Sequence, residues 1–345
     1  MKHLPKNIII SRTDSIGDVV LTLPVAKVLK DYFPEIKIAF LGRGYTSPVI
    51  TASKYVDEFI DINDFLKKDI TVCNQPPESI LHVFPVASIA KRAKQLRIPL
   101  RMGTTNRLYH WLTCNKLIRL SRKNSSLHEA QLNLQLLSAF GINKSFPLSE
   151  IADSFGLENL QPLQTDFAEL IQPGKYNLII HPKSQGSARE WGNDNFISLI
   201  KSLDKDHYHI FISGTAKERE LLRPIFEATE NIIDITGKMD LSQFMAFINQ
   251  CDGLVANSTG PLHIAAALKK DSFGIFAPMR PIHPGRWQPI GKKAKVFVLN
   301  KECSDCRHNK NPCHCIKEVP VIWIKEALDK ASNFSNVANK KIFLT

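Results

Sequence analysis

Two successions of strand-like and helix-periodic stretches run along the chain, separated by a proline-marked break. The first opens at Asn7–Ser11, where Ile8-Ile9-Ile10 reads as a buried strand. An apolar-periodic helix is predicted at Val25–Tyr32, then a strand at Lys37–Leu41 ending at Gly42. Shorter β-like pieces follow at Phe59–Ile62 and Ile80–Phe84. The spacing of Leu132, Leu136 and Phe140 predicts a helix over Leu127–Phe140, closed by Gly141.

The pattern weakens over 143–174, which carries Pro147, Pro162 and Pro173, and then restarts. Strands are predicted at Asn177–His181, His209–Ser213, Gly253–Asn257 and Ser272–Phe276. Between them lie helices at Asn195–Leu203 (capped by Asn193 or Asp194), Lys217–Phe226, Leu241–Gln250 and Pro261–Leu268. Such alternation with short connections implies parallel sheets covered by helices on both faces. The expected division is a first domain over 1–155, a linker over 156–174, and a second domain over 175–345 that includes a cysteine-rich segment and a C-terminal helix. In such sheets, ligands sit beyond the carboxyl ends of the strands, so chemistry is sought where strands end and helices begin.

A length of 345 residues fits two domains of about 150 each. No stretch of about 18 apolar residues is present, which excludes a transmembrane helix. The Ile8–Ile10 run behind Lys2 and Lys6 is too short for a signal peptide, so a cytoplasmic protein is expected. Seven cysteines, an odd number, argue against a disulfide framework. The net charge of +12 is unevenly placed, for Lys91 to Lys123 holds ten Lys/Arg and no Asp or Glu. That stretch suits a nucleic acid, a phosphorylated glycan or an acidic membrane, or is a solvated basic face. With no helix-turn-helix, RNP or zinc-finger signature, nucleic acid is not the expected partner.

Three strand-to-helix turns carry candidate chemistry. After the first strand, Ser11-Arg12-Thr13-Asp14-Ser15-Ile16-Gly17-Asp18 places a carboxylate at the crevice edge, with Gly17 permitting close backbone approach. Asp18 is either a helix N-cap or a group facing a ligand. After Asn177–His181, the loop Pro182-Lys183-Ser184-Gln185-Gly186-Ser187-Ala188-Arg189-Glu190-Trp191 suits phosphate binding by amides and a guanidinium, with Trp191 anchoring the helix to the sheet. After Gly253–Asn257, Ser258 or Thr259 can cap the next helix and Gly260 lets an anion approach its free amides. His263 lies one turn in and faces the ligand or packs beneath the loop.

Together, these strings resemble glycosyltransferase family 9, the ADP-heptose:lipopolysaccharide heptosyltransferases. The resemblance runs from Ile8 to about Leu328 through Gly17-Asp18-Val19-Val20-Leu21-Thr22-Leu23-Pro24, Ala188-Arg189-Glu190-Trp191, Gly237-Lys238-Met239-Asp240-Leu241 and Ser258-Thr259-Gly260-Pro261-Leu262-His263. It implies an α/β fold of GT-B type, two Rossmann-like, doubly wound parallel-sheet domains facing a central cleft. It also implies transfer of a heptose or related sugar from an ADP-sugar to a lipopolysaccharide-core or similar phosphorylated glycolipid, with inversion and with neither cofactor nor metal. Asp18 matches the family's catalytic aspartate, and Arg189 a basic residue on the donor phosphates. Met239 matches a residue whose backbone meets the adenine, and Glu218 an acid on the ribose. Ser184, Ser258, Thr259, Gly260 and His263 complete the expected donor site. Many relatives have Asp at the position of Ser258, which leaves a different donor sugar or acceptor open.

The expected acceptor residues are Gly17, Arg107, Arg119, Arg122 and His128, although His128-Glu129 equally suits a plain helix start. Aromatic and basic residues interleave over Arg107-Leu108-Tyr109-His110-Trp111-Leu112, Lys116, Arg119, Arg122 and Lys123. They fit a lipid-linked glycan and peripheral contact with the cytoplasmic face of an inner membrane. Cys303, Cys306, Cys313 and Cys315, flanked by His308 and His314, have a spacing compatible with a metal; none is expected.

Overall fold

The computed structural model describes residues 5–123, 125–279, 282–301 and 314–342, the last ten by their backbone only. The chain divides into two compact units, Met1–Leu160 and Gln161–Thr345.

Six strands build the first unit: β1 (Asn7–Ser11), β2 (Lys37–Gly42), β3 (Glu58–Asp61), β4 (Ser79–His82), β5 (Leu100–Thr104) and β6 (Lys116–Ile118). Six more build the second: β7 (Tyr176–His181), β8 (Tyr208–Ile212), β9 (Ile232–Asp234), β10 (Gly253–Asn257), β11 (Asp271–Ile275) and β12 (Ala294–Phe297). The first sheet runs β3-β2-β1-β4-β5-β6 and the second β12-β11-β10-β7-β8-β9, with parallel pairing throughout. Counted within its own unit, each sheet has the same order, so the winding reverses between β1 and β4 and again between β7 and β10. Those reversals open the crevices in which doubly wound sheets bind ligands.

Burial explains the central strands. Ile8, Ile9 and Ile10 are wholly inaccessible, as are Leu178, Ile179 and Ile180, because helices cover both sheet faces. Outer strands β6 and β9 have three residues each and are only partly buried, which limits edge-to-edge pairing. The helix Leu23–Tyr32 buries Leu23, Val25, Ala26, Val28 and Leu29, and Pro24 fits its first turn.

Three predicted elements differ from the structure. The Leu127–Phe140 stretch splits into an α-helix, Glu129–Gln135, and a 3-10 turn, Leu136–Phe140, ended by Gly141 at φ 82°. The helix Asn193–Ser202 has Gly192, not Asn193 or Asp194, at its N-cap. There the buried Trp191 fixes the chain, and Asn193 Nδ2 donates to Leu221 O instead. The proline-rich break also holds short helices, Leu148–Ile151 in the first unit and Thr165–Ala168 in the second.

Candidate active site

The loop after β1 enters a short helix, Ile16–Val20, whose N-cap is Ser15. Asp18 therefore lies inside the helix, and its carboxylate accepts from the Arg12 guanidinium and the Ser15 hydroxyl. That disposes of Asp18 as the N-cap. Gly17 adopts the same helical turn, and its carbonyl accepts from Leu21 N.

Arg12 organises this end of the unit. It is 2% exposed, and besides Asp18 it donates through Nε to Asp14 (2.7 Å) and through Nη1 to Glu129 Oε1 (3.0 Å). Burial works against its charge, but Asp18, Asp14 and Glu129 outweigh it and hold the guanidinium more firmly protonated than usual. Burial pushes the Asp14 carboxyl up to about 6; Arg12 draws it down and Asp18 adds to the rise. Arg122 closes the cluster from the far side, donating to Glu129 Oε1 (3.0 Å) and Asn133 Oδ1 (2.8 Å). Asn133 Nδ2 donates to Leu21 O and Thr22 Oγ1, and Thr22 Oγ1 donates to Asp18 O, so the helix Glu129–Gln135 fixes the Asp18 turn from behind. The carboxylate of Asp18 keeps 14% exposure, enough for one open edge.

The other expected acceptor residues scatter. Arg107 is exposed at the N-cap of the helix Leu108–Thr113, and Arg119 is exposed just past β6. His128 is buried and caps the helix Glu129–Gln135, its Nδ1 accepting from Ala130 N in a capping box with Gln131.

At the reversal between β7 and β10, the second unit gathers the expected donor loops. Asn257, fully buried at the end of β10, accepts from Trp191 N (2.9 Å) and donates to Pro182 O (2.7 Å), tying the 182–191 loop to the strand. Trp191 is wholly buried and donates through Nε1 to Val319 O, the anchoring role expected of it. Truncating such a side chain costs about 3–5 kcal/mol. Glu190 accepts from Ser184 N and Oγ (3.0 Å each) and from Lys183 Nζ (3.2 Å). Arg189 sits half-buried between Ala188 and Glu190 on this loop.

Glu218 is 5% exposed at the N-cap of the helix Arg219–Ala228. It accepts from Thr215 N (2.8 Å), Thr215 Oγ1 (2.9 Å) and Gln185 N (3.2 Å), so it joins the two loops that follow β7 and β8. Met239 is half-buried in the turn after Gly237. Gly237 has φ 67° and lies so close to Ala216 that a Cβ would meet it at 2.7 Å. This packs the Met239 turn onto the Gly214–Glu218 loop.

Thr259 is the N-cap of the helix Gly260–Ala267, yet its buried hydroxyl makes no hydrogen bond and remains available beside the free amides. Ser258 and Gly260 are half-buried next to it, and His263 is buried one turn in. His181, at the end of β7, shares a 2.9 Å hydrogen bond with Ser213 Oγ. Burial lowers its pKa to about 4, despite Glu218 and Glu190 nearby, and keeps it neutral.

Arg12, Asn133 and Asn257 were not assigned roles from the sequence, and Glu129 was read only with His128 as a helix start facing the cleft. The acids at 14 and 18 were the only local hint of Arg12's part, because Glu129 lies 117 residues away. Cys303, Cys306, Cys313 and His308 fall outside the described residues, and Cys315 is half-buried in the short helix His314–Lys317. Among the described residues, no group of three or more His, Cys, Asp or Glu is arranged to hold a metal.

The sequence model of glycosyltransferase family 9 (heptosyltransferase) matches residues 85–317. The lipopolysaccharide core heptosyltransferase OpsX of Haemophilus influenzae is 22% identical over 318 residues, covering 86% of each chain. Escherichia coli ADP-heptose LPS heptosyltransferase II superposes with a TM-score of 0.74 at 17% identity, over 96% of this chain and 99% of that one. Escherichia coli heptosyltransferase WaaC with ADP superposes at 0.70 and 16% identity, over 94% and 99%. The expected α/β fold of GT-B type, with two doubly wound parallel sheets, is the fold found.

Proposed function

The chain belongs to glycosyltransferase family 9, and from that premise we propose that it moves a heptose, or a related sugar, from an ADP-sugar to a lipopolysaccharide-core or similar glycolipid, inverting the anomeric centre without a metal. The observation that carries this reading is the Asp18 carboxylate, fixed by Arg12 and Ser15 with one edge exposed at the carboxyl end of β1.

A sugar hydroxyl is a poor nucleophile until its proton is taken. Asp18 accepts that proton as the oxygen attacks the anomeric carbon. The bond from that carbon to the diphosphate breaks on the opposite side, and negative charge collects on the departing ADP. Arg189 and the amides around Thr259–Leu262 stabilise that charge, with the Thr259 hydroxyl as a further donor. Pro261 has no N–H, so Thr259, Gly260 and Leu262 supply the backbone donors. ADP bound to WaaC supports ADP as the leaving group, and the name of OpsX supports a lipopolysaccharide acceptor. Arg107, Arg119 and Arg122 bear on acceptor phosphates in this reading. The protein works at the cytoplasmic face of the membrane that carries the acceptor. The contact is peripheral in this reading; among the described residues no helix is long and apolar enough to cross the membrane.

The test is incubation with ADP-heptose and a detergent-dispersed, heptose-deficient lipooligosaccharide, with mass spectrometry of the glycolipid. A gain of one heptose with equimolar ADP release, and an anomer opposite to the donor's, is expected. ADP release without a change in glycolipid mass contradicts the acceptor, and no turnover with any ADP-sugar contradicts the donor class.

A further inference from the structure

The acid-free stretch from Lys91 to Lys123 folds into one edge of the first unit: the helix Ala87–Gln95, β5, the helix Leu108–Thr113 and β6. The second of these helices is built the wrong way round for a solvated surface. Its polar residues His110 and Thr113 point inward and are buried. Its apolar residues Leu108, Trp111 and Leu112 point outward and are 88%, 60% and 75% exposed.

This presentation is held in place. His110 Nδ1 accepts from Thr104 N (3.0 Å), and the His110 ring stacks on His82 with 5.5 Å between centroids. The helix C-terminus is tied down as well, since Lys94 Nζ donates to Leu112 O (2.9 Å) and Arg101 Nε to Thr113 O (2.7 Å). Trp111 Nε1 donates to Thr105 O (3.0 Å), which satisfies its polar atom and leaves the ring as an apolar surface. Beside the helix lies an open hollow of about 740 Å³, where Lys91, Lys94 and Arg97 face Tyr109 and Leu112. Arg92 turns away, toward Phe65 O, Lys68 O and Asp69.

We infer that this face docks on an anionic lipid bilayer, with Leu108, Trp111 and Leu112 entering the interface while Lys91, Lys94 and Arg97 meet headgroup phosphates. The chemistry of the rim selects this occupant: protruding apolar side chains ringed by cations are what an interfacial helix presents to anionic lipid. Single-stranded nucleic acid stacks successive bases on several aromatic rings, whereas here the one protruding ring, Trp111, stands between two protruding leucines. This surface gives the proposed peripheral membrane contact its place in the fold, and it rests on that reading.

Flotation of the full chain with vesicles of phosphatidylethanolamine and phosphatidylglycerol, against vesicles of phosphatidylcholine alone, tests the surface without any substrate. The wild type is expected to float with the anionic vesicles and to lose that binding as salt screens the cations. Joint Leu108→Ser, Trp111→Ser and Leu112→Ser substitution is expected to weaken partition at least about tenfold. Joint Lys91→Gln and Arg97→Gln substitution is expected to erase the preference for phosphatidylglycerol. The far-UV circular dichroism and melting temperature stay at the wild-type level in both variants, which shows that they fold. Equal flotation of the apolar triple variant and the wild type overturns the proposal, as does displacement of the protein from vesicles by single-stranded RNA. Loss of vesicle binding in the folded variants bears on the surface alone, whereas absent turnover in the wild type bears on the proposed activity.

Discussion

Replacing Arg12 by Met keeps most of the side-chain bulk and removes a cation that touches Asp14, Asp18 and Glu129 together. Arg122 still reaches Glu129, so Asp14 and Asp18 lose most. Removing one partner of a buried ion pair costs about 3–5 kcal/mol. For a unit of this size that corresponds to a fall in Tm of roughly 6–20 °C. The pH dependence gives a second reading. In the wild type Asp14 titrates near 6 in the folded state against an ordinary 3.8, so its contribution is full below about 3.8 and is lost as pH rises through 6. Without Arg12, which draws the Asp14 pKa down, folded Asp14 holds its proton more tightly still, so stability falls more steeply as pH rises and partly returns at pH 5. Arg12→Lys restores a charge but not the fork that spans three carboxylates, and rescues only part of the loss. Thermal denaturation by circular dichroism from pH 5 to 8 measures all of this. A Met variant melting within about 2 °C of the wild type at every pH refutes the idea that Arg12 organises the site.

Arg189→Ala is expected to weaken ADP binding about tenfold or more by calorimetry, because a charge-assisted hydrogen bond to phosphate contributes roughly 1.5–3 kcal/mol; unchanged affinity removes Arg189 from the donor site. Glu218→Ala leaves Thr215 N, Thr215 Oγ1 and Gln185 N without their acceptor and should lower stability by about 1–3 kcal/mol. A stable variant with weakened ADP binding instead gives Glu218 to the ribose. Among the described residues, neither ring nitrogen of buried His82 has a hydrogen-bond partner, and burial, with His110 and Arg101 nearby, lowers its pKa to about 3. The unfolded chain takes up that proton below about 6.5, so stability present above 6.5 is lost as pH falls toward 3. His82→Leu is expected to flatten this acid limb while holding stability at pH 7; an unchanged acid limb contradicts it.

The central strands were legible because a strand buried on both faces spells a continuous apolar run, as Ile8–Ile10 and Leu178–Ile180 do. β5 was not, because Arg101 sits within it and reaches sideways to Ile98 O and Thr113 O. β9 and β12 are short and only half-buried, so no alternation marks them. The helix Leu108–Thr113 escaped notice because its apolar side faces outward, the reverse of the pattern that betrays a packed helix. The candidates Asp18, Arg189 and Thr259 stand at strand-to-helix turns, where the order of elements directs the search. Arg12 and Asn257 act through partners remote in sequence, Glu129 in one case and Trp191 in the other, and only folding brings those together.

Asp18 is the residue on which the proposed chemistry turns. Asp18→Asn keeps the size of the side chain and an oxygen for Arg12 and Ser15, but it cannot accept the acceptor's proton. Steady-state transfer should fall by about 10²–10⁴, with ADP affinity unchanged and turnover expressed per folded molecule. Since Ser15 holds the N-cap, loss of a helix cap does not account for such a fall. Turnover of the Asn variant within a few-fold of the wild type would contradict the mechanism outright.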